Sequence, residues 1–400
     1  MLPEGFAPDK GGLLEVAPEL GIGILGYGFM GKAHTNAYKK IPYMFWPPTV
    51  RPRLMAMCGR NEDRVAEAVN RYGYEGYYTD WQRMMEDPRI EVFDNSGPHT
   101  IHCEPSIAAA EAGKHVLCEK PLGLNSEETG RMLEAVQKAG VKHMCGFNYR
   151  FFPAVRLAKD IIDQGLLGHI LQFRGKYLQE WGQRARGLPT EHPGGRRALL
   201  GLGSHVIDMA RFLVGEITAI MGVLPDMRAV TLVEFANGAY GSLEANSDCA
   251  GNKNRHAWEI HGTKGSLAWD LEDLNRLHVC LQDDSPRELG GFRNVLVTEP
   301  YHPYISWEQL GRADSVLPAG RVAGQVWWPH GHILGWEHGH INEIFHFLDA
   351  IAHDRPIAPY GATFEDGHRV ALISDAIERS FEEGKRIEVP ERIRQVGGKQ

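Results

Sequence analysis

Short apolar runs and amphipathic stretches alternate through the first 150 residues. Gly21–Leu25, Leu54–Cys58, Ile90–Asp94, His115–Cys118 and Val141–Cys145 read as buried strands. Between them Lys32–Lys40, Arg64–Tyr72, Asp80–Glu86, Ile107–Gly113 and Thr129–Ala139 read as helices. Strands that are apolar throughout and alternate with helices predict an α/β fold with a doubly wound parallel sheet over residues 21–150.

The pattern changes after Pro153. Ala154–Gln164 is a predicted helix and Ile170–Leu178 a strand. Gly182–Arg197, rich in Gly, Pro and Arg, reads as a loop of the kind that lines sites. Gly203–Leu213 is an amphipathic helix. Strands follow at Ile217–Leu224, Arg228–Phe235, after the Asn237-Gly238 hairpin signal, and at His256–His261. Trp336–Ala352 and Phe364–Gly384 are helices, and 283–329 resists assignment. Residues 151–389 are therefore expected to form a second α/β domain on a large, mostly antiparallel open sheet, with 1–20 as an N-terminal extension.

Composition narrows the function. The apolar fraction is 43% and the charged fraction 24%, as in an ordinary globular protein. A net charge of -8 without a basic block gives no footing for nucleic acid. The six cysteines are scattered without a CxxC pair, which fits a reducing compartment. Neither a signal peptide nor a membrane-length apolar run is visible, so the expectation is a cytoplasmic protein with no membrane partner.

Candidate chemistry sits at the ends of predicted strands. Gly26-Tyr27-Gly28-Phe29-Met30-Gly31 follows one strand and opens a helix, the context in which GxGxxG holds a dinucleotide. Gly26 permits the tight turn, Gly28 admits pyrophosphate to the backbone, and Gly31 lets helix and strand pack. After the second strand comes Arg60, suited to a 2′-phosphate or to stacking on adenine, so NAD and NADP both stay open. The loop Ser96-Gly97-Pro98-His99 with His102 is small and polar, as a segment passing a nicotinamide ribose would be. Glu119-Lys120-Pro121 stops the strand His115–Cys118, where ligands of open α/β sheets bind. His205 and Asp208 share one helix face.

These residues together resemble the Gfo/Idh/MocA family, the glucose-fructose oxidoreductase and inositol dehydrogenase group. The resemblance runs from Gly21 to about Val389. It rests on Gly26–Gly31, Ala33-His34, Glu119-Lys-Pro121, Gly203-Ser-His205 with Asp208, and Gly262-Thr-Lys-Gly265-Ser266. Cys58-Gly-Arg60 and Phe147-Asn148-Tyr149-Arg150 are similar to a carbohydrate-active subgroup that includes levoglucosan dehydrogenase. The resemblance implies an N-terminal Rossmann domain, a bound NAD or NADP, hydride transfer to or from a sugar or polyol carbon, and a homo-dimer or tetramer. It implies Lys120 and His205 as catalytic residues, the histidine as general base. It further implies Glu119, Lys120 and Asn148 at the cofactor, and Lys120, Tyr149, Arg150, His205 and Asp208 at the substrate.

Three other features bear on the substrate. Many family dehydrogenases carry an aspartate four residues before the histidine; Gly201 stands there. Arg184, Arg186, Arg196 and Arg197 cluster in the loop before it, which suits an acidic sugar or, more blandly, solvated charge. Trp181 and the His- and Trp-rich stretch 327–346, with His338, suit a sugar-facing wall. The histidine spacing in that stretch matches no common metal motif, so no metal is expected. The leading expectation is an NAD(P)-dependent oxidoreductase acting on a secondary hydroxyl of a sugar, glycoside or cyclitol. The alternatives are a redox-neutral NAD-dependent glycosidase that oxidises its substrate transiently, including an acidic sugar, and a non-catalytic dinucleotide-binding sensor.

Overall fold

A computed structural model describes residues 17–45, 48–182, 194–282, 290–299, 302–304 and 327–390. Its first half carries β1 (Glu19–Leu25), α1 (Phe29–Met44), β2 (Arg51–Cys58), α2 (Glu62–Tyr72), β3 (Gly76–Tyr78), α3 (Trp81–Met85) and β4 (Val92–Asn95). Then come α4 (Cys103–Glu111), β5 (His115–Glu119), α5 (Ser126–Ala139) and β6 (His143–Gly146). The strands form a parallel six-stranded sheet in the order β3-β2-β1-β4-β5-β6, a Rossmann arrangement. The order reverses between β1 and β4, which opens a crevice at their carboxyl ends. Local chemistry sets the helix limits. Asn61 caps α2 by accepting from the Arg64 amide at 3.0 Å, and Asn125 caps α5 by accepting from the Glu128 amide at 2.9 Å. Gly73 and Gly140 close these helices in the left-handed conformation.

The second half holds α6 (Pro153–Asp163), β7 (Ile170–Leu178) and α7 (Gly194–Ala198), then a π turn at Leu199–Gly203 leading into α8 (Ser204–Leu213). Strands β8 (Ile217–Val223), β9 (Arg228–Phe235), β10 (Tyr240–Asn246), β11 (Arg255–Gly262), β12 (Gly265–Asp270), β13 (Arg276–Leu281) and β14 (Arg293–Leu296) follow. The chain ends on α9 (Glu337–Ala352), α10 (Phe364–Glu383) and β15 (Ile387–Glu388). The nine strands order as β14-β13-β12-β11-β7-β10-β9-β8-β15. All neighbours are antiparallel except β7 and β10, which run parallel.

Period-two burial gives this sheet two different faces. Phe173, Leu243, Trp258, Ile260, Leu267 and Trp269 are buried on the helix side. Met221, Val223, Val230, Leu232 and Tyr240 are exposed on the other. Helix α9 does not stay with this sheet. It crosses to α1 and buries Ile341, Ile344, Phe345 and Leu348 against Leu20, Ile22, Tyr38, Ile41 and Phe45. Among the described residues no helix is long and apolar enough to cross a membrane.

The expected elements and the two sheets are present. Strands β3, β14 and β15 are too short to stand out as periodic runs, whereas β13 alternates at Leu277, Val279 and Leu281. Of the loop expected at 182–197, residues 183–193 lie outside the described residues, and Gly194–Ala198 is helical.

Candidate active site

The glycine turn is shaped by close backbone approach. Gly26 has φ 104°, its amide donates to the Cys58 carbonyl at 2.9 Å, and a Cβ there would meet the Ser96 carbonyl oxygen at 2.8 Å. At Gly31 a Cβ would lie 2.2 Å from the Gly26 carbonyl oxygen. At Gly28, the N-cap of α1, it would meet nothing within 4 Å. The first and third glycines are thus required by the fold, while the second leaves open space before free helix amides. That cradle fits a dinucleotide pyrophosphate. Tyr27 lies against Gly59, Arg60 is exposed just beyond β2, and Phe29 stacks on Trp336 with centroids 5.3 Å apart. Met30 is half-buried.

Across the crevice, Ser96 is buried and its hydroxyl donates to the Leu25 carbonyl. Gly97 and Pro98 lead into the 3-10 turn His99–Ile101. His102 is buried between two carbonyl oxygens, of Pro121 at 2.8 Å and Gly97 at 3.1 Å. It ties this loop to the Lys120-Pro121 turn.

Beneath Lys120 lies a buried layer of charge. Glu119 accepts from the Lys120 amide at 3.1 Å through one oxygen and faces His34 Nε2 at 3.1 Å through the other. His34 Nδ1 sits 2.8 Å from Asp94, which also accepts from the Tyr38 hydroxyl at 2.8 Å. Burial works against charge on His34, but the two carboxylates outweigh it and hold its pKa well above the usual value. Burial likewise pushes Glu119 up, yet His34 brings it down to about 2. The His34 ring is therefore an imidazolium bridging two carboxylates. His34, Glu119 and His340 offer donor atoms within 4.8 Å of one another.

Lys120 points from this layer toward the second half, where its ammonium donates to the Gly201 carbonyl at 3.2 Å. Burial lowers its pKa, opposed by Glu119. Gly201 lies on the π turn, and a Cβ there would meet nothing within 4 Å. His205 follows at the start of α8. Its pKa is held well below the ordinary value by burial and then by Lys120, His256 and His340. The ring is thus neutral at pH 7. Its Nδ1 is buried without a hydrogen-bond partner among the described residues.

Tyr149 lies 4.6 Å from His205, centroid to centroid. Its hydroxyl meets that of Tyr177 at 2.7 Å, and Tyr177 donates to Asn254 at 2.7 Å. Gln179 donates to the same Asn254 oxygen and accepts from the Trp181 indole. One chain of hydrogen bonds therefore runs from beside His205 to Trp181.

The structure gathers Glu119, Lys120, Tyr149, His205 and, through that chain, Trp181. Asn148 is buried beside them, its amide nitrogen without a partner among the described residues. Arg150 and Asp208 instead bind each other through two hydrogen bonds of 2.9 and 2.5 Å, flanked by Asp366. His338 turns to its own Gly335 and packs on Trp327. Arg184 and Arg186 lie outside the described residues.

The unexpected member is His340. It is 1% exposed, tilts against His34 at 5.5 Å, and neither ring nitrogen has a hydrogen-bond partner among the described residues. Burial and His34 lower its pKa to about 3. Helical spacing within 327–346 does not single it out, because His338 shares a face with Ile341 and Phe345 just as His340 does with Ile344 and Phe347. His256, buried and stacked on Tyr177, gave no signal in an apparently ordinary strand.

Comparison with known proteins agrees with this geometry. Residues 20–147 match the model of an oxidoreductase family with an NAD-binding Rossmann fold, and 155–268 match a GFO/IDH/MocA C-terminal domain. The chain is 37% identical to levoglucosan dehydrogenase of Pseudarthrobacter phenanthrenivorans, over 93% of this chain and 98% of that protein. A solved levoglucosan dehydrogenase complex with NADH and levoglucosan superposes with a TM-score of 0.83 at 38% identity, covering 94% of this chain and all of that one. The chain is 30% identical to 2,7-anhydro-N-acetylneuraminate hydratase of Escherichia coli, over 78% of this chain and 86% of that protein.

Proposed function

We infer, for a chain that belongs to the GFO/IDH/MocA family of oxidoreductases, that it is an NAD-dependent dehydrogenase acting on a hydroxyl-bearing carbon of a sugar, glycoside or cyclitol. The observation that carries this reading is the convergence of Lys120 and neutral His205 on one cleft beside the glycine turn. Gly28 supplies the open approach for pyrophosphate, and the loop at Ser96–Pro98 faces it. When bound, the cofactor supplies a hydride acceptor at its nicotinamide ring.

The protein's own groups handle the proton and the charge. A substrate hydroxyl between Lys120 and His205 gives its proton to the neutral imidazole. The Lys120 ammonium stabilises negative charge developing on that oxygen. Burial strengthens this interaction, since little water competes for the ammonium. Glu119 and His34 fix the main chain under Lys120 and so fix where its ammonium points. His340, next to both, is placed to meet a further hydroxyl.

Steady-state cofactor reduction across a panel of sugars and cyclitols tests the reading. Reduction by wild type and its loss in Lys120→Met support it. No reduction on any member, with K120M indistinguishable from wild type, sinks it. A redox-neutral reaction is the second reading, favoured by the similarity to a hydratase. It would release product from a glycoside or anhydrosugar without net cofactor reduction in the same assay.

The exposed apolar face of the nine-stranded sheet supports pairing of two copies into a homo-oligomer, which sedimentation of the purified chain would test. The free cysteines support a cytoplasmic setting.

A further inference from the structure

We infer that the carbohydrate taken by this cleft carries an anionic substituent, and that Arg197 reads it; this rests on the dehydrogenase reading above. Arg197, Gly201 and His205 follow at four-residue intervals along α7, the π turn and α8, so they line one side of the helical path. His205 marks the reacting end. Gly201 leaves the middle open, since a Cβ there would touch nothing within 4 Å. Arg197 stands at the far end, half-buried, with its guanidinium 4.7 Å from the Trp181 ring centre.

The two adjacent arginines are used differently. Arg196 binds Glu378 and the Leu124 carbonyl, so its charge is spent on the fold. Among the described residues no carboxylate pairs with Arg197. The buried guanidinium groups of Arg150 and Arg211 each meet a carboxylate, whereas buried Arg156 lies over the Tyr304 and Tyr360 rings and donates to the Tyr304 hydroxyl. A half-buried guanidinium that no carboxylate among the described residues meets, in a chain of net charge -8, is costly unless an anion is supplied to it.

Its mounting also fits recognition. Stacking on Trp181 leaves the guanidinium edge, with its N–H donors, free for an oxyanion. Trp181 is fixed in turn by Gln179, Asn254, Tyr177 and Tyr149, so the cation is held on the same hydrogen-bonded chain that flanks His205. A carboxylate, sulfonate or phosphate on the sugar would meet that edge while the ring spans the space at Gly201. The substrate class is thus an acidic sugar whose charged group lies away from the reacting hydroxyl.

The test is steady-state kinetics of the full chain on matched substrates: glucose, glucuronate, glucose 6-phosphate and a 6-sulfonated glucose. We expect at least one anionic member to exceed glucose in kcat/KM by about tenfold, with a KM that rises with added salt. Arg197→Gln should raise that KM about tenfold while moving the glucose KM far less. Arg197→Lys, which keeps the charge, should retain part of the preference and guards against a misfolded glutamine variant. Turnover of glucose with no gain from any anionic group overturns the inference and leaves the dehydrogenase reading standing. Equal losses on neutral and anionic sugars in R197Q, with R197K as poor as R197Q, overturn it too. Absence of turnover on every sugar removes both readings together.

Discussion

The Lys120 ammonium lies 3.2 Å from the carbonyl oxygen of Gly201. Among the described residues the lysine at the end of β5 is therefore held by main chain from the other half of the molecule and not by a side-chain carboxylate. The open space at Gly201 means that a carboxylate could be installed without a clash. In Gly201→Asp the added negative charge favours the charged form of Lys120, whose pKa is now lowered by burial. The alkaline limb of the kcat/KM profile should move up by about one pH unit, with thermal stability nearly unchanged. A profile that stays in place would show that Lys120 does not set that limb.

The acid limb belongs to His205. Its pKa is held well below 6.5, so oxidation should continue at full rate as pH falls through 6.5 and decline only at lower pH. His205→Gln should abolish the acid limb and lower kcat by about 10²–10⁴-fold. The check is kcat/KM across pH 4.5–9 for both proteins.

Folding stability should follow the other buried imidazoles. Burial lowers His256 to about 3, and burial with His34 takes His340 to the same value. For each, the unfolded ring takes up its proton first, so stability is complete above pH 6.5 and lost as pH falls from there toward 3. At pH 5.5 each ring costs about 1.4 kcal/mol. His256→Phe, which keeps a ring against Tyr177, should flatten the decline in melting temperature between pH 7 and 5. An unchanged slope would contradict a neutral buried His256.

Gly28 and Gly31 should respond in opposite ways to one added methyl group. Gly31→Ala places a Cβ 2.2 Å from a carbonyl oxygen and should destabilise the protein by about 1–3 kcal/mol in urea unfolding without cofactor. Gly28→Ala meets no protein atom, so the unfolding curve should stay near wild type. The KM for NAD should rise, because the methyl occupies the space where pyrophosphate approaches.

Arg150 and Asp208 should behave as a structural pair. Both are buried and bind each other, so Asp208→Ala leaves the guanidinium with Asp366 alone, 3.4 Å away, and should cost about 1–3 kcal/mol. The double variant with Arg150→Met should recover much of this. A D208A protein of normal stability but high sugar KM would instead place Asp208 at the substrate.

The sheets were legible in the sequence because their strands are long and apolar, as in Gly21–Leu25, or alternate cleanly, as in Arg228–Phe235. Lys120 and His205 were legible because a strand end and a helix start flank them. His34 entered only as part of a motif, since no local pattern shows that Asp94 and Glu119, distant in sequence, close on its ring. His340 was obscured by a neighbouring histidine on an equally apolar face, and only the fold sets one against His34 and the other on Trp327. Arg196 and Arg197 look alike in sequence. Only the fold gives one of them Glu378 and leaves the other on Trp181.

Helix α9 completes the face of the nucleotide-binding half that carries α1, yet it is encoded near the end of the chain. During synthesis Tyr38, Ile41 and Phe45 leave the ribosome long before Ile341 and Phe345 exist to cover them. At roughly 5–20 residues per second that interval lasts on the order of tens of seconds. The half that binds the cofactor therefore waits, with an uncovered apolar flank, for the last helices to be made. A truncation that removes α9 would strand the nascent first half in that state and take His340 out of the site with it.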